Sequence, residues 1–138
     1  MVPRILIVDD DSSIRTLLSV VASRAGVESD VAADGVEAMQ KLGSSTYDVV
    51  VLDLTMPRMN GFDVVEKLRT RAPRPVVIVL TALPVSHPLD LDPSVVHCVV
   101  RKPFDLNTFV ALFVATAADA CATRELGGEV VTFPRPAV

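Results

Sequence analysis

The first apolar run, Ile5-Leu6-Ile7-Val8, is short, continuous and rich in β-branched residues. That composition predicts a strand buried on both faces. Ile14, Leu17, Leu18 and Val21 then recur at helical spacing, with Asp11 or Ser12 placed to cap the helix. Residues 27–32 read as a second, weaker strand. Asp34-Gly35 marks a turn, and Val36, Met39 and Leu42 predict a short helix ending at Gly43. Val49-Val50-Val51-Leu52 is a third strand, stopped by Asp53, and the loop after it carries Pro57 and Gly61. Phe62, Val65 and Leu68 give the next helix. Its far end is basic through Lys67, Arg69 and Arg71, which complements a helix dipole and reads as a solvated face. Residues 76–80 and 95–100 are the fourth and fifth strands, and a final helix starts at Leu106.

Strands alternating with helices imply right-handed crossovers and a doubly wound α/β sandwich, its parallel sheet covered on both faces. The alternation weakens between the fourth and fifth strands. Residues 83–94 contain Pro84, Pro88 and Pro93. Interior prolines lose hydrogen bonds and clash, so a loop or a single helical turn is expected there. The expectation extends to a mobile segment that a partner orders. The last helix is apolar nearly all round: Leu106, Val110, Phe113 and Ala117 form one stripe, Phe109, Leu112 and Thr116 another. Only one stripe can face the sheet, so the second seeks a homodimer or another protein, or cover from Val130, Val131 and Phe133 of the tail. From Gly127 onward the glycines and prolines suggest fraying.

Composition narrows the partners. The chain has 138 residues, half of them hydrophobic but only 4% aromatic, so one domain with a mainly aliphatic core is expected. Thirteen basic against seventeen acidic residues give a net charge of −4, which offers no footprint for nucleic acid or for an anionic membrane surface. Cys98 and Cys121 lack metal or redox spacing and read as packing residues. No signal peptide opens the chain, and no apolar stretch reaches the roughly 20 residues that span a bilayer. A cytoplasmic protein is expected.

In open parallel sheets, ligands sit at the carboxyl ends of the strands. Asp9-Asp10 end the first strand, Asp53 the third, Thr81 the fourth, and Lys102, followed by Pro103, the fifth. Carboxylates converging on one rim repel and call for a cation. An all-oxygen set suits Mg²⁺, which binds through one or two carboxylates plus phosphate. Asp11 reads as a cap, and Arg101 should point to the opposite face from Lys102 and carry no chemistry.

This constellation resembles the receiver domain of two-component response regulators. The matching segments are Ile7-Val8-Asp9-Asp10-Asp11, the run from Leu52-Asp53-Leu54-Thr55-Met56-Pro57 to Gly61, Leu80-Thr81-Ala82 and Lys102-Pro103-Phe104. The resemblance covers residues 3–121, leaves a tail at 122–138, and suggests a receiver standing alone. It implies a flavodoxin-like five-stranded sheet in the order 2-1-3-4-5. It also implies that Asp53 accepts phosphoryl from a phosphohistidine on a histidine kinase or phosphotransfer protein. Asp10 would be the main ligand of Mg²⁺ or Mn²⁺, Asp9 would assist through water, and the Thr55 backbone carbonyl would complete the set with Asp53. Lys102 and Thr81 would hold phosphoryl oxygens, Ala82 would leave the path to Asp53 open, and Pro103 would follow a cis peptide bond. Such a chain is not an enzyme beyond its own phosphorylation and dephosphorylation.

Two features depart from the family. Val99 stands where a Tyr or Phe usually moves with the threonine and reports phosphorylation, and the fourth crossover is rebuilt around prolines. Both leave open a second function, an interaction module that works without phosphate. An aspartyl phosphohydrolase would want an acid where Thr55 stands, and a flavin module would want a Ser/Thr/Gly phosphate loop after the first strand.

Overall fold

A computed structural model describes residues 2–84 and 90–126. Five strands form a single parallel sheet: β1 (Arg4–Val8), β2 (Glu28–Ala32), β3 (Val49–Leu52), β4 (Val76–Thr81) and β5 (Val96–Arg101), ordered β2-β1-β3-β4-β5. The helices are α1 (Ser12–Arg24), α2 (Gly35–Ser44), α3 (Gly61–Leu68) and α4 (Leu106–Leu126). The α/β fold and the strand order are those expected.

Period-2 alternation along the strands divides the core in two. Leu6, Val8, Val50, Leu52, Val77 and Val79 face Ala38 and Leu42 of α2 and Val64, Val65 and Leu68 of α3. The intervening Ile5, Ile7, Val49, Val51, Ile78 and Leu80 face Leu18 and Ala22 of α1 and Phe109, Phe113 and Ala117 of α4. Strands buried on both faces explain the continuous apolar runs. Phe104, Phe109 and Phe113 stack in sequence, with centroids 5.0 and 5.5 Å apart, so three of the few aromatic rings anchor α4.

Helix starts follow the polar residues before them. Asp11 caps α1 by accepting from the Ser13 N–H, Asp34 caps α2 through the Glu37 N–H, and Asn60 caps α3 through the Asp63 N–H. Arg74 donates to the Leu68, Arg69 and Ser94 carbonyls, closing the basic end of α3 against the segment before β5. Arg69 pairs there with Glu66 and Asp92.

Three expectations need correction. α2 does not stop at Gly43 but runs to Ser44, and the Ser45 N–H closes it on the Lys41 carbonyl. Gly43 meets no neighbour and costs only its intrinsic helix propensity. Leu17 is not on the packed stripe of α1: it is 39% exposed beside Val20 at 44%, and Ala22 takes the inner position. On α4 the two supposed stripes merge, since Phe109, Phe113, Thr116 and Ala117 are all buried. The Thr116 hydroxyl donates to the Leu112 carbonyl, which lets a polar residue sit on that face.

No helix occurs between β4 and β5 among the described residues. Leu83 and Leu91 pack there against the α2/α3-side core, giving the β4–β5 end some of the cover a helix would provide. The β4–β5 ladder shifts register between Val77 and Ile78: Val77 pairs with Val96 and Ile78 with Cys98, so His97 is the extra residue. Residues 85–89 and 127–138 lie outside the described part. So do the expectations about ordering across 85–89 and about the tail beyond 126. No helix of the described part is long and apolar enough to cross a membrane.

Candidate functional site

The carboxyl ends of β1 and β3 are adjacent in the sheet, and the ladder continues one step past each strand. The Asp9 N–H donates to the Ala32 carbonyl at 3.1 Å and the Asp53 N–H to the Val8 carbonyl at 2.8 Å. Both aspartates are therefore fixed by main-chain bonds at the rim. Carboxylate oxygens of Asp9, Asp10 and Asp53 lie within 4.8 Å of one another. Asp9 and Asp53 are buried, and Asp10 is exposed.

Lys102 reaches this cluster from the end of β5. Its Nζ lies 2.8 Å from Asp9 Oδ2 and 3.8 Å from Asp53 Oδ2, and the side chain is 19% exposed. The lysine is thus bound first to Asp9. Asp9 Oδ1 accepts from the Asp11 N–H at 2.9 Å, and its backbone carbonyl accepts from Arg15 Nη1 at 2.7 Å. Asp53 Oδ1 has only a long bond, 3.3 Å, from the Thr55 N–H.

Electrostatics follow from this unequal sharing. Burial, then repulsion from Asp9, push the Asp53 carboxyl up to about 6, against the pull of Lys102 and the Thr55 N–H. The ionised carboxylate is therefore under-compensated. A hard cation held by oxygen donors alone fits the deficit, and Mg²⁺ is the physiological ion of that type. The donor set holds no sulfur or nitrogen ligand that would favour Zn²⁺.

The loop after β3 is shaped by two close approaches. A Cβ on Gly61 would run into the Asp53 carbonyl oxygen and come within 2.8 Å of Leu54 Cα; the Gly61 N–H donates to the Leu54 carbonyl at 3.0 Å. Gly35 approaches Met59 in the same way and donates to its carbonyl at 2.8 Å. Arg58, with φ of 64°, turns its guanidinium onto Asp34, with Nε 2.9 Å from Oδ2. The hydrogen bond from the Glu37 N–H, and then the Arg58 guanidinium, hold the Asp34 carboxyl below the usual carboxylate range.

On the other side of the rim, Thr81 is the last residue of β4 and is fully buried. Its carbonyl accepts from the Lys102 N–H at 2.7 Å and its Oγ1 from the Leu83 N–H at 3.1 Å. Ala82 follows and is exposed. The Lys102–Pro103 peptide is cis, and so is Ala72–Pro73, which the sequence did not suggest. Val99, half-buried, pairs with Val79 and packs on the α2/α3-side core. Arg101, which the sequence assigns no chemistry, holds the loop: its Nη1 donates to the Leu83 and Pro84 carbonyls at 2.7 and 3.1 Å. Nothing in the sequence flagged that contact, nor those of Arg15 and Arg58, because each joins a side chain to a loop whose path is not periodic.

With that geometry in place, known proteins supply the comparison. The profile of the response regulator receiver domain matches residues 5–113. The chain belongs to this family. Among curated relatives, the DNA-binding transcriptional regulator NtrC of Escherichia coli (strain K12) is 37% identical over 112 residues, 77% of this chain and 23% of NtrC. A protein-glutamate methylesterase/protein-glutamine glutaminase of Anaeromyxobacter dehalogenans (strain 2CP-C) is 42% identical over 78 residues, 56% of this chain and 22% of that protein. The chain thus spans under a quarter of these relatives' length. Among solved structures, the response regulator TrrA of Thermotoga maritima, in complex with Mg(2+)-BeF, is 33% identical with a TM-score of 0.73, over 83% of this chain and 98% of that one. A signal receiver domain from Vibrio parahaemolyticus, 22% identical, shares the fold with a TM-score of 0.80 over 94% of this chain and 100% of that one.

Proposed function

We propose that this receiver domain is a phosphoacceptor of a two-component phosphorelay, with Asp53 as the residue that carries the phosphoryl group. The observation that supports this most is the convergence of Asp9, Asp10 and Asp53 on one rim, with Lys102 Nζ 3.8 Å from the Asp53 carboxylate. Of the two buried members, Asp53 is the less firmly hydrogen-bonded, and burial together with repulsion from Asp9 raises its carboxyl.

In this reading an Asp53 carboxylate oxygen attacks phosphorus, the N–P bond of a donor phosphohistidine breaks, and the leaving imidazole takes up a proton. The product is an acyl phosphate on Asp53. Asp53 needs no general base because the ionised form is the nucleophile. A loose phosphoryl-transfer transition state asks for positioning and charge stabilisation more than for covalent help. Asp10, Asp53 and the Thr55 carbonyl would hold Mg²⁺ or Mn²⁺, with Asp9 assisting. Such an ion, when bound, neutralises phosphoryl charge and relieves the repulsion among the carboxylates. Lys102 would then share its charge between Asp9 and a phosphoryl oxygen, and Thr81 would donate its hydroxyl to another. Ala82 leaves the approach unobstructed. The donor is a histidine kinase or phosphotransfer protein, the setting is cytoplasmic, and output runs through protein contact. No enzymatic activity beyond gain and loss of this phosphoryl group is implied.

Incubation with acetyl phosphate and Mg²⁺, read by intact mass, tests the proposal. One phosphoryl adduct is expected on the wild type and none on Asp53→Asn. An unmodified wild type, or an adduct that survives in Asp53→Asn, would contradict it. A second reading, an interaction module that works without phosphate, is favoured by Val99 and by the helix-free crossover.

A further inference from the structure

Leu83 is held on both sides. Its N–H donates to Thr81 Oγ1 at 3.1 Å, and its carbonyl accepts from Arg101 Nη1 at 2.7 Å. The same nitrogen bonds the Pro84 carbonyl at 3.1 Å. Thr81 and Arg101 are themselves register partners across the β4–β5 ladder. The chain leaving β4 is therefore tied back to two side chains that stand opposite each other on the sheet.

The two ties are unlike in what they respond to. Thr81 is completely buried, and a hydroxyl that turns away from Leu83 leaves the Leu83 N–H without its bond. Arg101 is a half-used fork. Its Nη1 serves two carbonyls, while its Nε is buried without a hydrogen-bond partner among the described residues. An unpaired buried donor disfavours the present arrangement and would gain from any shift that brings it a carbonyl. The segment thus has a built-in reason to move once Thr81 lets go. Alternation puts Val99 on the same face of β5 as Arg101, one step back along the strand. A valine has no polar atom with which to follow the loop.

We propose that Arg101 couples the state of Asp53 to the segment after β4, exchanging its hold on the Leu83 and Pro84 carbonyls when the Thr81 hydroxyl turns from Leu83 to a phosphoryl group. The inference rests on the phosphoacceptor reading above. Arg101 touches neither phosphoryl group nor metal and is a positioning residue. The surface that changes is the start of the helix-free crossover, where Leu83 lies half-buried and Pro84 exposed.

The test loads the full chain with beryllofluoride and Mg²⁺ as a phosphoryl mimic and reads exchange of the Leu83 amide. In the wild type, loading should speed that exchange about tenfold as the Thr81 bond is lost. In Arg101→Met the exchange should be fast in both states, so the loaded-to-free ratio falls to about one, while beryllofluoride affinity stays within about threefold. Arg101→Lys, which keeps a cationic donor, should restore part of the ratio. A residue that merely stapled the loop would leave the ratio at its wild-type value in Arg101→Met, and that result would overturn the proposal. So would a folded Arg101→Met that binds beryllofluoride more than about tenfold weaker, which would put Arg101 in the pocket. Should Arg101→Met fail to fold, Arg101→Gln, too short to span both carbonyls, is read the same way. A wild type that takes no beryllofluoride contradicts the phosphoacceptor reading and the relay together. One that takes it with unchanged Leu83 exchange contradicts the relay alone.

Discussion

The rim of the sheet has two halves built on different principles. At β1 and β3, main-chain bonds fix Asp9 and Asp53, Gly61 lets the backbone close on Asp53, and capped helices follow. At β4 and β5 the chain leaves the sheet without a helix, and what orders it is a threonine hydroxyl, an arginine fork and two leucines. The first half is rigid because backbone geometry specifies it. The second rests on side-chain bonds that can be exchanged. Chemistry needs the former and signalling the latter, which explains how a chain can keep the acidic pocket of its family while altering the region that would transmit its state.

The comparison breaks most sharply at Asp53. Asp53→Asn should abolish phosphoryl uptake, and with divalent metal chelated it should raise stability at pH 8 by about 2 kcal/mol, because an under-compensated buried charge is removed. Chemical denaturation in chelator checks the second part. Lower stability in the variant would mean that Lys102 already balances the charge.

Lys102 is where the halves meet, since β5 sends it across to Asp9 at 2.8 Å. Lys102→Ala should slow phosphorylation about a hundredfold at neutral pH by removing charge stabilisation from the phosphoryl oxygens. It should also push the Asp53 carboxyl higher than about 6, which an NMR titration of Asp53 would follow. A rate within a few-fold of wild type would assign the lysine to Asp9 alone.

pH gives a smaller effect. The folded Asp53 carboxyl sits near 6, above its ordinary 3.8, so the native state holds a proton that the unfolded chain releases. Without metal, this group's contribution to stability is greatest below about pH 4 and is lost as pH rises through 6, by on the order of 2 kcal/mol. Asp34 and Asp92, both held below the usual range, act in the opposite sense, and only at lower pH. Denaturation curves of the metal-free protein against Asp53→Asn isolate the Asp53 part, and a curve unchanged by that substitution would contradict it.

Smallest is the effect expected at Val99. Val99→Tyr should cost no more than about 1 kcal/mol, because the site is only half-buried, and should leave the yield of phosphoryl adduct unchanged. A large change in yield would show that the two halves are not separable.

How much of this was legible in the sequence follows the same division. The apolar runs of β1, β3 and β4, the cap Asp11, and the aspartates after strands are read from local pattern, because a buried parallel strand leaves little freedom in composition. The order of strands and the site needed the family resemblance as well. Misplacement occurred where tertiary context decides. Leu17 and Val20 are exposed because α1 turns Leu18 and Ala22 inward, and helical spacing alone does not choose between neighbouring stripes. α4 has no preferred side by composition, so the merging of Phe109 and Thr116 into one buried face required the sheet to be present. Alternation along β5 sets Arg101 on the opposite face from Lys102. The partners of Arg101 are loop carbonyls, which carry no sequence signal.

The central claim is that one pocket, centred on Asp53, takes the phosphoryl group. Reducing the acetyl-phosphate-treated protein with labelled borohydride converts an aspartyl phosphate to labelled homoserine, and peptide sequencing locates it. The account predicts label at position 53 and nowhere else, dependent on Mg²⁺. Label at Asp9 or Asp10, or none in protein that binds Mg²⁺, would contradict it.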